Sequence, residues 1–216
     1  MMNTLTIKLW DGFIRSFHWL LVVVLAGLWY TGGDIDYIDL HHQLGLVMLA
    51  LLLTRIMWGF VGSQSARFSY FLRSPIAVLH YFKAPFKREY VTHNPAGAYM
   101  VVIMLVLLLS QAISGLFTDD AIFFRGPLAH LVSNDMVRSL TRYHKQAFDY
   151  ILIAIALHLV AIFVYTLMKK RLVGPMITGR KVYPEDAQVK QPKQRHGAFG
   201  FVLLGINLTW IFGWLS

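Results

Sequence analysis

The sequence predicts an all-α integral membrane protein: a four-helix transmembrane bundle followed by a fifth, C-terminal transmembrane helix. Three observations carry this. Of the 216 residues, 56% are hydrophobic and only 14% are charged, an apolar share beyond that of an ordinary soluble domain. The apolar residues fall into runs of about twenty, the length needed to cross a hydrocarbon core of about 30 Å. Lys and Arg avoid those runs and gather between them.

The first run, 13–31, is entered through Arg15 and His18 and ends at Gly32-Gly33. It has no small-residue cleavage site after a short apolar core, so it reads as an uncleaved span. A short acidic linker follows, GGDIDYIDL, with Asp34, Asp36 and Asp39 and no basic residue. The second run, 41–60, carries Arg55 near its end. Residues 61–96 are polar and basic, with Arg67, Arg73, Lys83, Lys87 and Arg88 against Glu89. Within them Ser74-Pro75 reads as an N-cap with proline at the first helical position. IAVLHYF then predicts a short amphipathic helix on the membrane surface, with His80 interfacial. The third run, 97–117, follows HNPAG; a loop of 118–140 leads to the fourth run, 144–168. Residues 1–181 form the bundle, 182–197 a polar linker, and 198–216 the added helix.

The net charge of +9 does not imply nucleic acid, because the basic residues form no patch with interleaved aromatics. Instead it orients the chain. Lys and Arg number two up to Arg15, five in 61–96 and eight in 169–197, against none in 32–40. The positive-inside rule then places the N-terminus, the second loop and the linker in the cytoplasm. The 118–142 loop, with three Arg offset by three Asp, falls outside. No cysteine is present, which excludes thiolate-held iron–sulfur and zinc sites and haem attached through C-x-x-C-H.

With sides assigned, the histidines in the spans sort by depth. His18 lies near the cytoplasmic face and His41 near the outer face. His144 opens the fourth run at the outer face, and His158 stands fourteen residues on, about 21 Å deeper on nearly the same face. The pairs are therefore His41 with His144 outside, and His18 with His158 inside. Ionisable side chains at membrane depth mark functional sites by default. Zinc wants three or four clustered ligands, whereas each depth offers two imidazoles and no nearby carboxylate except Asp149, which is also placed to pair with Lys145. Two axial imidazoles suit a haem iron, whose porphyrin supplies the other four nitrogens.

Gly45, one turn after His41, removes a side chain where a ring must approach; Gly27, Ser114 and Gly115 are small enough to do the same. His42 points about 100° away from His41, so only one of them faces a given site, and the spacing to Gly45 selects His41. Arg15 and Arg55 at the inner site, and Arg138 and Arg142 at the outer, are placed to meet haem propionates, although snorkelling serves any one of them equally well. His93 sits at the mouth of the third span, where a quinone head group finds a hydrogen-bond partner. The blander reading there is a helix-start residue. His130 and His196 read as solvated loop residues.

FHWLL at 17–21, HHQLG at 41–45, TRIMWGFVGSQSARF at 54–68, HNPAG at 93–97, the His144/His158 spacing and MITGRK at 176–181 together resemble the bacterial cytochrome b561 family. More narrowly they resemble its nickel–iron-hydrogenase-type di-haem cytochrome b branch. The resemblance implies four helices and two b haems in the cytoplasmic (inner) membrane, with axial ligands at His18, His41, His144 and His158. It implies electron transfer between the quinone pool and a partner such as a periplasmic c-type cytochrome, a dehydrogenase or a hydrogenase module. The stretch after residue 197 departs from the four-span pattern and points to a specific partner or a homodimer contact. Two rival readings stand beside this one. A superoxide or small-molecule:quinone oxidoreductase needs basic residues around an exposed outer haem, for which Arg125, Arg138, Arg142 and Lys145 are candidates. A non-redox transporter or scaffold would use the histidines for protons or metal.

Overall fold

The computed structural model describes residues 4–85, 90–185, 187 and 189–216; Lys87, Arg88 and Glu89 of the basic loop lie outside them. The order is β1 (Thr4–Lys8), α1 (Gly12–Thr31), α2 (Ile38–Val61), α3 (Phe68–Phe71), α4 (Pro75–Lys83), α5 (Pro95–Gly115), α6 (Asn134–Leu167), α7 (Val173–Thr178), β2 (Arg180–Pro184) and α8 (Ala198–Leu215). Five of these helices, α1, α2, α5, α6 and α8, are long and apolar enough to cross a membrane. The protein is an all-α membrane bundle. Below, the end of the bundle at which α1 begins is the near end, and the opposite one the far end.

Side-chain caps set the starts of α1, α4, α5 and α6. Asp11 caps α1 by accepting the Ile14 amide at 2.8 Å, and its second oxygen accepts from the buried Trp58 indole at 3.1 Å. One carboxylate thus both satisfies orphan amides and ties α1 to α2. Asn94 caps α5 through the Gly97 amide, with Pro95 in the first turn, so this helix starts two residues before the apolar run. The fourth helix departs further from expectation. It begins at Asn134, where the Ser133 side chain accepts from the Met136 amide and Asp135 occupies the first turn. His144 therefore lies in its third turn instead of opening it. A capping residue with an acidic first turn starts a helix whether or not the residues are apolar.

α2 is the central helix, packed against α1, α5 and α8, while α6 packs chiefly on α5. α6 makes no comparably extensive contact with α1 or α2. α4 exposes Ile76, Leu79 and Phe82, each more than 60% accessible, at the i, i+3, i+6 spacing of one face. Such an exposed apolar face is what the expected surface helix requires. His80 on it is exposed, as are His130 and His196.

An antiparallel ribbon was not legible in the sequence: β1 pairs with β2, from Thr4 opposite Pro184 to Lys8 opposite Arg180. Gly179, in the left-handed region at φ +78°, turns its carbonyl to the amides of Leu9 and Trp10. The ribbon straddles the boundary drawn after residue 181. Beyond it, residues 191–195 form a strap: the Gln64 amide donates to the Lys193 carbonyl, and the Lys193 and Arg195 amides donate to Gln64 and Ser63 side chains. α8 then runs back along α2. Asn207 donates to Thr54 Oγ1 at 2.8 Å, and a Cβ at Gly200 would collide with the Phe13 ring. This is small-residue packing of membrane helices.

Candidate functional site

The four histidines stand at two depths, two at each end of the bundle. At the far end His41 (α2) and His144 (α6) face each other with ring centroids 6.4 Å apart and planes at 81°. Their hydrogen bonds fix the tautomers. His144 Nδ1 lies 3.0 Å from the Gln111 carbonyl, which can only accept, and 3.2 Å from Ser114 Oγ. His41 Nδ1 lies 3.1 Å from Thr31 Oγ1, whose hydroxyl donates to the Gly27 carbonyl at 2.8 Å and so has a lone pair to offer. Both Nδ1 atoms are therefore protonated donors, which leaves an unshared pair on each Nε2. This is how a metal-binding imidazole is oriented from behind. Neither Nε2 is hydrogen-bonded to a described residue.

The small residues around this pair divide by role. A Cβ on Gly45 would meet nothing within 4 Å, so the space on the His41 face of α2 one turn away is open. A Cβ on Gly115 would come within 3.0 Å of His144 Cε1, so glycine there admits the imidazole itself. Gly27 instead packs against Leu44 of α2. His42 is turned aside, to the Leu215 carbonyl at 3.2 Å and the Phe124 ring. Arg142 is exposed, Arg138 is ion-paired with Asp135, and Arg125 lies 3.7 Å from Asp119. Lys145 and Asp149 are both exposed and form no ion pair with each other. For two solvated side chains the entropy of holding them together cancels a weak attraction.

On α6, Ala147, Ile151 and Ala154 are buried between His144 and His158, at the three- and four-residue steps of one helix face. Both histidines therefore project from the stripe that faces the bundle interior. At the near end His18 (α1) and His158 (α6) lie close enough to interact electrostatically. His18 Nδ1 is sealed from solvent with no partner. Arg55 is only 5% exposed and makes no hydrogen bond or ion pair to a described residue; its guanidinium lies 5.2 Å from the Phe68 ring centroid. Arg15 donates from one terminal nitrogen to the Ile177 carbonyl at 2.7 Å, while its Nε is buried and unpartnered.

His93 sits beside this cluster between the rings of Trp10 (5.1 Å) and Phe71 (4.9 Å), its Nδ1 also buried and without a partner. Burial first, then the neighbouring Arg55 charge and His158, push its pKa down to about 4. It is neutral near pH 7. Sequence reasoning passed over Thr31 and the Gln111 carbonyl. A hydroxyl ten residues before His41 is visible in the sequence, but nothing there reveals that the turn folds it back onto the ring.

These features define a helical membrane protein with paired imidazoles at two levels, each pair shared between helices that are not packed on one another. Among the described residues no three His, Cys, Asp or Glu converge, so each level offers two protein ligands. An ion held between two imidazole nitrogens at about 2.0–2.1 Å sets the ring centroids about 6 Å apart, and the far-end separation is of that size. The donor set and the open face at Gly45 fit a b-type haem. A family model described as prokaryotic cytochrome b561 matches residues 9–179, and the chain belongs to that family. Its members bind haem b and carry electrons across membranes. No curated protein and no solved structure matches the chain.

Proposed function

We propose that this protein carries electrons across the bacterial cytoplasmic membrane through two b haems in series. One is held by His41 and His144 at the far end, the other by His18 and His158 at the near end. The observation that carries this reading is the far-end pair: two imidazoles on different helices, each bound from behind through Nδ1 and presenting a free Nε2. The haem, when bound, supplies one-electron chemistry at its iron. The residues of the chain do the rest. Thr31 and the Gln111 carbonyl hold the far imidazoles in the ligating tautomer, and Gly45 and Gly115 make room. Arg55, buried, and Arg15, half-buried, offer positive charge to haem propionates at the near end; Arg142 is an exposed cation at the far end.

The positive-inside count supports a cytoplasmic near end. Quinone is the proposed exchangeable partner, and a periplasmic c-type cytochrome, dehydrogenase or hydrogenase module the proposed redox partner at the far end. The superoxide reading finds less net positive charge than the sequence suggested, because Asp119 and Asp135 stand beside Arg125 and Arg138. The test is a haem count and reduced-minus-oxidised spectrum of the purified protein, alongside His158→Ala and His144→Ala. Two low-spin b haems are expected in the parent. Each variant should lose one haem and keep the other. A parent without haem would refute the proposal.

A further inference from the structure

Among the described residues, four buried nitrogens at the near end lack any hydrogen-bond partner: His18 Nδ1, Arg15 Nε, Arg55 Nη1 and His93 Nδ1. Two belong to guanidinium groups, which only donate, and two to imidazoles, whose nitrogens donate or accept by tautomer; all are costly to leave buried and unpaired, the charged ones most. Arg55 is the extreme case, a 5%-exposed cation with no ion pair. Asp11 acts on it electrostatically but stands beyond ion-pair distance, with its oxygens engaged by the Ile14 amide and the Trp58 indole. A buried, unpaired guanidinium at the same end of the bundle as unpaired Arg15 and His93 nitrogens describes a place for an occupant that brings anionic acceptor oxygens.

His93 belongs to this set by position. It interacts electrostatically with both Arg55 and His158, and the Trp10 and Phe71 rings clamp its plane. In its Nδ1–H form the clamped imidazole is a directed donor at the sealed Nδ1 once an acceptor is present. Packing alone would be served by any ring and gives no reason for an unpaired nitrogen beside an unpaired guanidinium.

We propose that His93 is a positioning residue of the near-end haem, its Nδ1–H donating to the carboxylate that Arg55 neutralises. This rests on the reading that His18 and His158 hold a haem. The parent haem count tests that reading separately, because a protein lacking the near-end haem fails before His93 is varied.

The experiment is a spectroelectrochemical titration of the purified holoprotein with its His93→Phe and His93→Gln variants, the near-end haem being assigned through His158→Ala. Phenylalanine keeps a ring between Trp10 and Phe71 and removes the donor, whereas glutamine keeps a donor and removes the ring. In His93→Phe both haems are expected to remain. The near-end haem should lose about three- to tenfold in electron affinity, about 30–60 mV for one electron, because an undamped carboxylate charge favours the oxidised state. The far-end haem should not move, and His93→Gln should recover most of the shift. A purely structural His93 gives the reverse order, with phenylalanine silent and glutamine disruptive, and overturns the proposal. So does a shift that appears only when a soluble naphthoquinone is added, which would give the donor to an exchangeable ligand.

Discussion

Replacing Gly45 with leucine separates space kept for a cofactor from space that is merely helix surface. Gly45 lies four residues after His41, on the same face of α2, and a Cβ there would touch nothing within 4 Å. The leucine Cβ therefore enters without collision. Within a helix it should gain up to about 1 kcal/mol over glycine through propensity alone, so the apoprotein is expected to fold at least as well. The side chain projects into the space beside the His41 ring, within the footprint of a porphyrin ligated there. The far-end haem should be excluded and the near-end one retained, halving the haem per chain. The assay is a pyridine haemochrome count against protein, with thermal unfolding of the same sample in detergent. Gly45→Leu protein that is well folded and still holds two haems at unchanged potentials would refute the reasoning, since the open face would then belong to lipid.

Other outcomes follow from individual contacts. Thr31→Val removes the acceptor behind His41 Nδ1; with a hydrogen bond worth about 0.5–1.5 kcal/mol, the far-end haem potential should shift by up to about 20–60 mV, read by redox titration, while the near-end haem stays put. Gly200→Leu drives a side chain into the Phe13 ring, so α8 should detach and become open to protease at the 191–197 strap. Asn207→Leu deletes the bond to Thr54 and the weaker one to Met57 Sδ and should cost about 0.6 kcal/mol, the usual value between membrane helices, measured by unfolding in mixed micelles. With haem extracted, stability should fall as pH drops from about 6.5 toward 4. The pKa of His93, about 4 when folded, lies below its unfolded value, so the unfolded chain binds more protons in that window. His93→Phe should flatten this part of the profile, whose ceiling is about 3 kcal/mol.

Membrane physics made much of the architecture readable in advance. A bilayer demands runs of a fixed length, so the spans, and with them the bundle end at which each of His18, His41, His144 and His158 falls, could be counted off the sequence. Three other features left no such trace. The Thr4–Lys8 strand is a short alternating segment whose partner lies beyond the fourth span, and no local pattern announces a pairing at that separation. The start of α6 at Asn134 was hidden because polarity, not helicity, defined the run. The clamped position of His93 arises where an N-terminal residue, Trp10, meets Phe71 from the second loop. The expected Lys145–Asp149 pair failed for the opposite reason: spacing permits a contact, but solvent removes the incentive to form it.

The β1–β2 ribbon also bears on how the chain is made. Its two strands are separated by about 170 residues, which a ribosome adding about 5–20 residues per second needs roughly 10–35 s to traverse. Throughout that interval the first span has to enter the membrane and find its neighbour while its leading strand has no mate. The ribbon is consequently a late clasp. It closes only after the fourth span is in place, and it couples the segment that leads into α1 to the segment that leads into α8. A chain stalled before Arg180 would present an open strand edge at the membrane surface, a feature by which quality-control proteases could tell an unfinished bundle from a completed one.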